Sequence, residues 1–202
     1  VNPIRTGYSS IADQWIPIRP GTDGLFIMSL IHQLLKSDKV DIEYLVRYTN
    51  AHWLVINDPG AEDDGLFARD TEGNPLCWDG KTKALANARA LEVAPAVVGD
   101  YELPDGRKAQ PSFNLVAQRY LDNQYAPENV TDRTGLDQET IERTAAELAH
   151  YAFVEEIELD VEWVDWAGRK HDTMKGRPVA FHAMRGISAH SNGFHTCRAL
   201  HL

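Results

Sequence analysis

The chain is poor in cysteine and has no long uninterrupted apolar run. Its two cysteines, Cys77 and Cys197, lie far apart among 202 residues. They form no CxxC pair or Cys/His cluster with the spacing of metal ligands, so we expect ordinary thiols. No apolar stretch is long enough to cross a bilayer, and the first residues lack the basic and apolar regions of a signal peptide. We therefore expect no direct membrane insertion.

Positive charge is also scarce. The formal net charge is -10 and the pI is near 5.2, so the surface as a whole repels the phosphates of nucleic acids and anionic membranes. A nucleic-acid partner is not predicted, although a local basic site is compatible with this balance. With 43% hydrophobic and 25% charged residues, the chain is globular and long enough to bury one sizeable core.

The most informative stretch runs from Asp13 to Leu35. A short apolar segment, Trp15 to Ile18, predicts a strand; Arg19 to Asp23 predicts a tight turn; and a helical pattern follows. Gly21 can take a positive φ, and either Thr22 or Asp23 can cap the helix. The first turn of such a helix exposes unpaired N–H groups, where polar or anionic ligands bind.

The carboxylate of Asp23 accepts hydrogen bonds only, which suits the paired N1–H and N2–H donors of a guanine edge. A turn of this composition is also an ordinary connection between a strand and a helix. The turn alone therefore does not establish a ligand.

A second unit of the same kind follows near the other end of the chain. Val179 to Ala183 predicts a buried strand of a parallel sheet, and Arg185 to Gly193 predicts a glycine-containing turn before a helix. Ligands of open α/β sheets bind at the carboxyl ends of the strands, where both turns would lie. We therefore predict an α/β fold with a Rossmann-like parallel sheet and flanking helices.

Between the two units the pattern predicts insertions. A helical sub-lobe is expected at about 111–152, with Pro127 in a first helical turn, a helix end near Gly135 and Asp137 as an N-cap. Asp41 is expected to cap a short helix earlier in the chain. A β insertion is expected at about 155–175, because apolar residues alternate with carboxylates from Ile157 to Trp163, which predicts a half-buried strand whose acidic side faces solvent. β-Hairpins are also expected, one of them at Asp105-Gly106. Both termini interrupt an element, so we expect residues 1–202 to form a single, incomplete domain.

Several segments together resemble the large subunits of molybdenum oxidoreductases of the dimethyl sulfoxide reductase family. Their order and spacing carry the resemblance. The segments are Asn2–Thr6, Ala12–Asp23, Tyr48–Asn50, Gly135–Ala149, Arg185–Ser188, His190 and Asn192–Gly193.

The resemblance implies a cofactor, molybdopterin guanine dinucleotide with molybdenum, and a site for its nucleotide end. Val1, Asn2 and Pro3 would approach the guanosine. Pro20, Gly21, Thr22 and Asp23 would bind the same guanosine, with Asp23 at the guanine edge. Arg185, Gly186 and Ala189 would lie near the pterin or its phosphates. Ala189 departs from the polar or basic residue expected there and could contribute only its backbone.

No catalytic or metal-ligating residue follows from the resemblance. No position matches the molybdenum-ligating Cys, selenocysteine, Ser or Asp of the family, and Cys77 falls in a predicted hairpin away from any ligand position. The iron–sulfur segment of the family has no counterpart in this sequence. The expected partners are an iron–sulfur electron-transfer subunit and the remaining domains of the same polypeptide.

The resemblance further implies a bacterial enzyme that acts on a sulfur compound such as thiosulfate, polysulfide or sulfite. Two alternatives stay open at this point: a different dinucleotide-dependent dehydrogenase, and a non-catalytic binding or scaffold module. The first would require a GxGxxG fingerprint after the first strand, which the sequence does not contain. The compartment, cytoplasmic or periplasmic, is left open.

Overall fold

The computed structural model describes residues 1–165, 168–183 and 185–201. The chain is mixed α/β and divides into two compact units. Residues 1–39 and 120–202 form unit 1, and residues 40–119 form unit 2. In the described ranges no helix combines the length and the apolar character that crossing a membrane requires.

Six α-helices lie within the described residues. They are α1 (Asp23–Lys36), α2 (Ile42–Tyr48), α3 (Ser112–Tyr120), α4 (Pro127–Thr134), α5 (Gln138–Phe153) and α6 (Gly193–Ala199). Single 3-10 turns occur at Gly7–Ser10, Asn123–Tyr125 and Arg185–Ser188.

The strands are short, and every pair in the described part of the chain is antiparallel. They are β1 (Leu54–Asn57), β2 (Leu76–Asp79), β3 (Ala84–Asn87), β4 (Tyr101–Glu102), β5 (Lys108–Pro111), β6 (Ile157–Leu159), β7 (Trp163–Val164), β8 (Lys170–His171) and β9 (Met174–Gly176). Unit 2 contains a three-stranded sheet in the order β1-β5-β4 and the β2-β3 pair, whereas unit 1 contains the β6-β9 and β7-β8 pairs.

The core of unit 1 forms around α1, which packs against α4, α5 and α6. Ile18 and Ile141 are 2% and 0% exposed, so the segment before α1 and the first turn of α5 meet α1 in a dry interior. The other members of this core are Ile16, Phe26, Leu30, Val130, Leu136 and Ala145. Unit 2 has its own core, formed by Leu54, Ile56, Ala68, Leu103 and Ala109.

Helix boundaries follow the signals predicted from the sequence. The Asp41 carboxylate caps α2 by accepting the Tyr44 N–H at 2.8 Å, and the Asp137 carboxylate caps α5 by accepting the Thr140 N–H at 2.7 Å. Pro127 is the first residue of α4, and Gly135 ends that helix with φ of +75°. These predictions are confirmed, because each depends only on residues a few positions apart.

The Rossmann-like parallel sheet is not confirmed. Residues 15–18 form no strand. The Asn2 N–H donates to the Ile16 carbonyl at 3.0 Å and ties this segment to the preceding residues. Val179–Ala183 also forms no strand, and Phe181 is 58% exposed. An extended segment becomes a strand only where a neighbouring strand pairs with its backbone, and neither segment has such a neighbour within the described ranges.

The expected half-buried strand at Ile157 to Trp163 is also corrected. The segment is split into β6 and β7, and its apolar residues are exposed rather than buried, Leu159 by 49% and Val161 by 49%. The acidic positions are exposed as predicted, and Glu158 forms an ion pair with Lys175 at 3.4 Å. Apolar and acidic residues alternate along this segment, but no described residue covers the apolar side.

The complete burial of Ile141 allows a test of the unit 1 core. Replacing Ile141 with Ala should lower the free energy of unfolding by about 2–5 kcal/mol, and Ile141→Val by about 0.5–1.5 kcal/mol, because deleted methyl groups leave a cavity. Urea unfolding followed by circular dichroism measures both values. Equal and small losses in the two variants would show that this position is not part of a packed core.

Candidate functional site

The turn before α1 is shaped by Gly21 and by hydrogen bonds to the Arg19 carbonyl. Gly21 has φ of +80°, which residues with a Cβ adopt at a cost. The Thr22 hydroxyl donates to the Arg19 carbonyl at 2.7 Å, and the Thr22 N–H donates to the same carbonyl at 3.3 Å. Thr22 is therefore the N-cap residue by position, but its hydroxyl closes the turn instead of capping the helix.

The first turn of α1 keeps hydrogen-bonding capacity. Asp23 is the first helical residue, and the N–H groups of Asp23, Gly24 and Leu25 find no acceptor within the described part of the chain. The half-buried Asp23 carboxylate likewise accepts no hydrogen bond from a described residue. A carboxylate acceptor thus lies beside N–H donors at the positive end of a 14-residue helix.

Asn2 fastens the N-terminal residues to the segment that leads into this turn. Its N–H donates to the Ile16 carbonyl at 3.0 Å, and its carbonyl accepts the Trp15 indole N–H at 2.8 Å. The side-chain oxygen of Asn2 accepts the Ile4 N–H at 3.0 Å. Val1 and Pro3, on either side, are exposed.

The second turn is built from local hydrogen bonds. The Ser188 hydroxyl donates to the Arg185 carbonyl at 2.9 Å, and the Ala189 N–H donates to the Gly186 carbonyl at 3.2 Å. The side chains of Arg185 and Ala189 are exposed. The Ala189 N–H is thus used within this turn, and the contact of Ala189 with the cofactor stays a prediction.

The structure brings the two turns together. The side-chain amide of Asn192 donates to the Gly21 carbonyl at 3.2 Å, and a Cβ on Gly21 would lie 3.9 Å from Nδ1 of His190. One turn further along, a Cβ on Gly24 would lie 2.9 Å from the Thr196 hydroxyl, so α6 approaches α1 at contact distance. The sequence predicted this proximity through a parallel sheet, whereas the structure achieves it through α1 and α6.

Arg19 anchors the first turn to α4, a role that the sequence did not reveal. Its N–H donates to the Thr134 carbonyl at 2.8 Å, and its guanidinium donates to the Asp132 carbonyl. A Cβ on Gly135 would lie 3.1 Å from Cγ of Arg19, so the glycine that ends α4 also leaves room for this side chain. The available signal was the Gly135 C-cap, which fixes where α4 ends but not what approaches it.

The cysteines do not form a metal centre. Cys77 is fully buried in β2, and burial, with a smaller contribution from the charge of Asp79, raises the pKa of its thiol to about 11. A thiol that resists ionisation is a poor metal ligand. No group of three or more potential ligands that could hold a metal ion occurs among the described residues.

Comparison with known proteins identifies the relatives of the chain, although no protein-family model matches it. It is 44% identical to a sulfite dehydrogenase subunit of Allochromatium vinosum over 99% of the chain. It is 41% identical to the nitrate-inducible formate dehydrogenase major subunit of Escherichia coli over 34% of the chain. It is 24% identical to a selenate reductase subunit of Mesobacillus selenatarsenatis over 99% of the chain. These relatives are molybdenum enzymes of one family. The chain belongs to the dimethyl sulfoxide reductase family.

The chain spans 21%, 7% and 18% of the lengths of these three relatives. It therefore corresponds to a segment of a dimethyl sulfoxide reductase family protein. The family resemblance drawn from the sequence is confirmed.

The roles that the family resemblance implies for individual residues remain predictions. Among the residues implied by the resemblance, Gly21 of the first turn is linked by a hydrogen bond to Asn192, which follows Arg185, Gly186 and Ala189 of the second turn. Val1 and Pro3 are exposed, and their side chains contain no hydrogen-bonding group. Asn192, which the structure places between the turns, was absent from the predicted set.

Two glycines of the second turn provide a matched test of its packing. A Cβ on Gly193 would overlap the Ser188 carbonyl oxygen, whereas a Cβ on Gly186 meets nothing within 4 Å. Gly193→Ala should lower the free energy of unfolding by roughly 1–3 kcal/mol, and Gly186→Ala should cost much less. Urea unfolding of the two variants measures the difference. Equal losses would contradict the close approach of Gly193 to Ser188.

Proposed function

We propose that this segment binds the guanosine end of a molybdopterin guanine dinucleotide in the catalytic subunit of a molybdenum oxidoreductase. One observation carries the proposal: the turn that begins α1 and the turn that precedes α6 lie against each other, linked by the Asn192–Gly21 hydrogen bond of 3.2 Å. Membership of a family of molybdenum enzymes supports a molybdenum cofactor.

The residues at the first turn fit this ligand chemically. Guanine presents N1–H and N2–H side by side, and a carboxylate is the side chain that accepts both. Asp23 provides that carboxylate, half-buried and without a hydrogen bond to a described residue. The N–H groups of the first turn of α1 remain for further oxygen acceptors on the nucleotide.

The charge distribution supports an anionic ligand near the second turn. Residues 173–202 contain no Asp or Glu, whereas the whole chain has a net charge of -10. Arg185 and Arg198 are exposed in this interval. Neither arginine forms an ion pair with a described residue. Both are therefore suited to attract phosphate groups such as the diphosphate of the cofactor.

We further propose that Trp15–Ile18 and Val179–Ala183 become strands of a Rossmann-like parallel sheet in the complete subunit. Neither segment forms a strand within the described ranges. Such a sheet would place both turns at the carboxyl ends of its strands. Residues 1–202 would then belong to a single, incomplete cofactor-binding domain.

The residues of this chain would bind and orient the cofactor. The molybdenum centre, when bound, supplies the two-electron redox chemistry. Asp23 would fix the guanine by its donor edge, Pro20 to Thr22 would shape the guanosine pocket, and Asn2 with its neighbours would close one side of it. Arg185, Gly186 and Ala189 would contact the phosphates or the pterin, Ala189 through its backbone.

We propose a sulfur compound as the substrate of the complete enzyme, with sulfite ahead of thiosulfate and polysulfide. The 44% identity to a sulfite dehydrogenase subunit over 99% of the chain favours this class. The proposed partners are an iron–sulfur electron-transfer subunit and the other domains of the same polypeptide.

Chemical analysis of the purified full-length subunit tests the proposal. It should contain molybdenum and release guanosine monophosphate when its cofactor is hydrolysed in acid, in a ratio of guanosine to protein that is reproducible between preparations. Absence of both molybdenum and a guanine nucleotide would contradict the proposed function.

The carboxylate of Asp23 should determine how firmly the guanine end is held. In the full-length subunit, Asp23→Asn should weaken cofactor retention roughly 10- to 100-fold, the equivalent of about 1.5–3 kcal/mol for hydrogen bonds to a charged group. The amide of Asn offers one acceptor and opposes a donor to the second guanine N–H. Guanosine monophosphate per protein molecule, measured after gel filtration at several dilutions, reports the change.

Asp38→Asn is the matched control, because it removes the same charge just past the other end of α1. Asp38 has φ of +56°, a conformation that Asn tolerates, and its exposed side chain should not touch the cofactor. Equal cofactor content in Asp23→Asn and Asp38→Asn would show that Asp23 does not bind the guanine.

A further inference from the structure

Asn192 occupies the N-cap position of α6 but does not cap the helix. An N-cap Asn normally accepts a hydrogen bond from the N–H of the second or third helical residue. The side chain of Asn192 makes no such bond, and its Nδ2 instead donates to the Gly21 carbonyl at 3.2 Å. The residue therefore gives up a local contact and makes one across 171 positions of sequence.

The backbone of Asn192 is held in place independently of this contact. Its carbonyl accepts the Thr196 N–H at 3.0 Å and the Thr196 hydroxyl at 3.2 Å. Thr196 is buried against Gly24 of α1, where a Cβ would come within 2.9 Å of its hydroxyl. The packing of α6 on α1 thus directs the Asn192 amide toward the first turn.

The group that Asn192 contacts controls the orientation of the first turn. The Gly21 carbonyl and the Thr22 N–H belong to one planar peptide, so holding one fixes the direction of the other. The Thr22 N–H donates to the Arg19 carbonyl at 3.3 Å on the opposite side. This peptide is therefore held from both ends, immediately before Asp23.

We propose that Asn192 is a positioning residue for the cofactor: its side-chain amide fixes the Gly21–Thr22 peptide and thereby the first turn of α1 at the guanosine. The proposal rests on the proposed function, since it assumes that the first turn binds the nucleotide. Asn192 is expected to act through Gly21 and not by contact with the guanine.

Asn192→Ser in the full-length subunit separates positioning from stability. Ser caps helices about as well as Asn, but its shorter side chain does not span the distance to the Gly21 carbonyl. The variant should lose cofactor about 2- to 10-fold faster than the unmodified protein, the range for one ordinary hydrogen bond. The thermal midpoint of the cofactor-free variant should be unchanged, and measuring it without cofactor removes the stabilisation that binding itself adds.

Two further variants complete the experiment. Asn129→Ser is the matched control, because the Asn129 amide also donates to a backbone carbonyl, that of Asn123 at 2.8 Å, within α4 and its preceding turn. It should leave cofactor loss unchanged. Asn192→Gln retains the amide donor on a longer side chain and should restore at least part of the retention that Asn192→Ser loses.

To follow cofactor loss, the protein is diluted and the released cofactor is separated from it. Guanosine monophosphate is then measured in the released fraction after acid hydrolysis. Faster loss in Asn192→Ser alone, with partial recovery in Asn192→Gln, supports the proposal. Unchanged loss in Asn192→Ser, equal acceleration in Asn129→Ser, or a lowered thermal midpoint that accounts for the loss would overturn it while leaving the proposed function intact. An unmodified protein without a guanine nucleotide would overturn both.

Discussion

The packing of α1 is the constraint on which unit 1 depends. Phe26 and Leu30 bury the helix against residues of α4 and α5, and Ile18 carries the preceding segment into the same interior. Gly24 lets α6 approach the other side of the helix. Because α1 is held on several sides, its first turn is presented at a defined place, and a defined place is what a ligand-binding turn requires.

The candidate site is made mostly of backbone. Gly21, Gly24 and Gly193 allow close approaches that a Cβ would obstruct or a conformation that it would strain, and the contacts between the two turns are carbonyl and amide groups. Asp23 is the side chain with the most specific chemistry. A site with so few reactive side chains suits the proposed role of this segment, which is to position a cofactor whose reactive centre supplies the chemistry.

Local features were predictable from the sequence, and features that require a distant partner were not. Asp41, Pro127 and Asp137 were correctly placed at helix starts, because a cap involves residues within one turn of each other. The strands predicted at residues 15–18 and 179–183 are not formed in the described structure. Apolar composition favours an extended chain but does not provide a strand to pair with. β3 was missed, because Ala84 to Asn87 lacks the β-branched and aromatic residues typical of strands. The contacts of Arg19 and Asn192 could not be predicted, because the first depends on where α4 ends and the second on where α1 begins.

The function proposed for this chain requires the turn before α1 and the turn before α6 to form one wall of a guanosine pocket. An experimental structure of the full-length subunit with its cofactor is the decisive measurement. We expect the guanine N1–H and N2–H nitrogens within about 2.7–3.2 Å of the Asp23 carboxylate oxygens, with Asn192 still bonded to Gly21. A guanine bound elsewhere, with Asp23 facing solvent or protein, would show that these two turns do not hold the nucleotide.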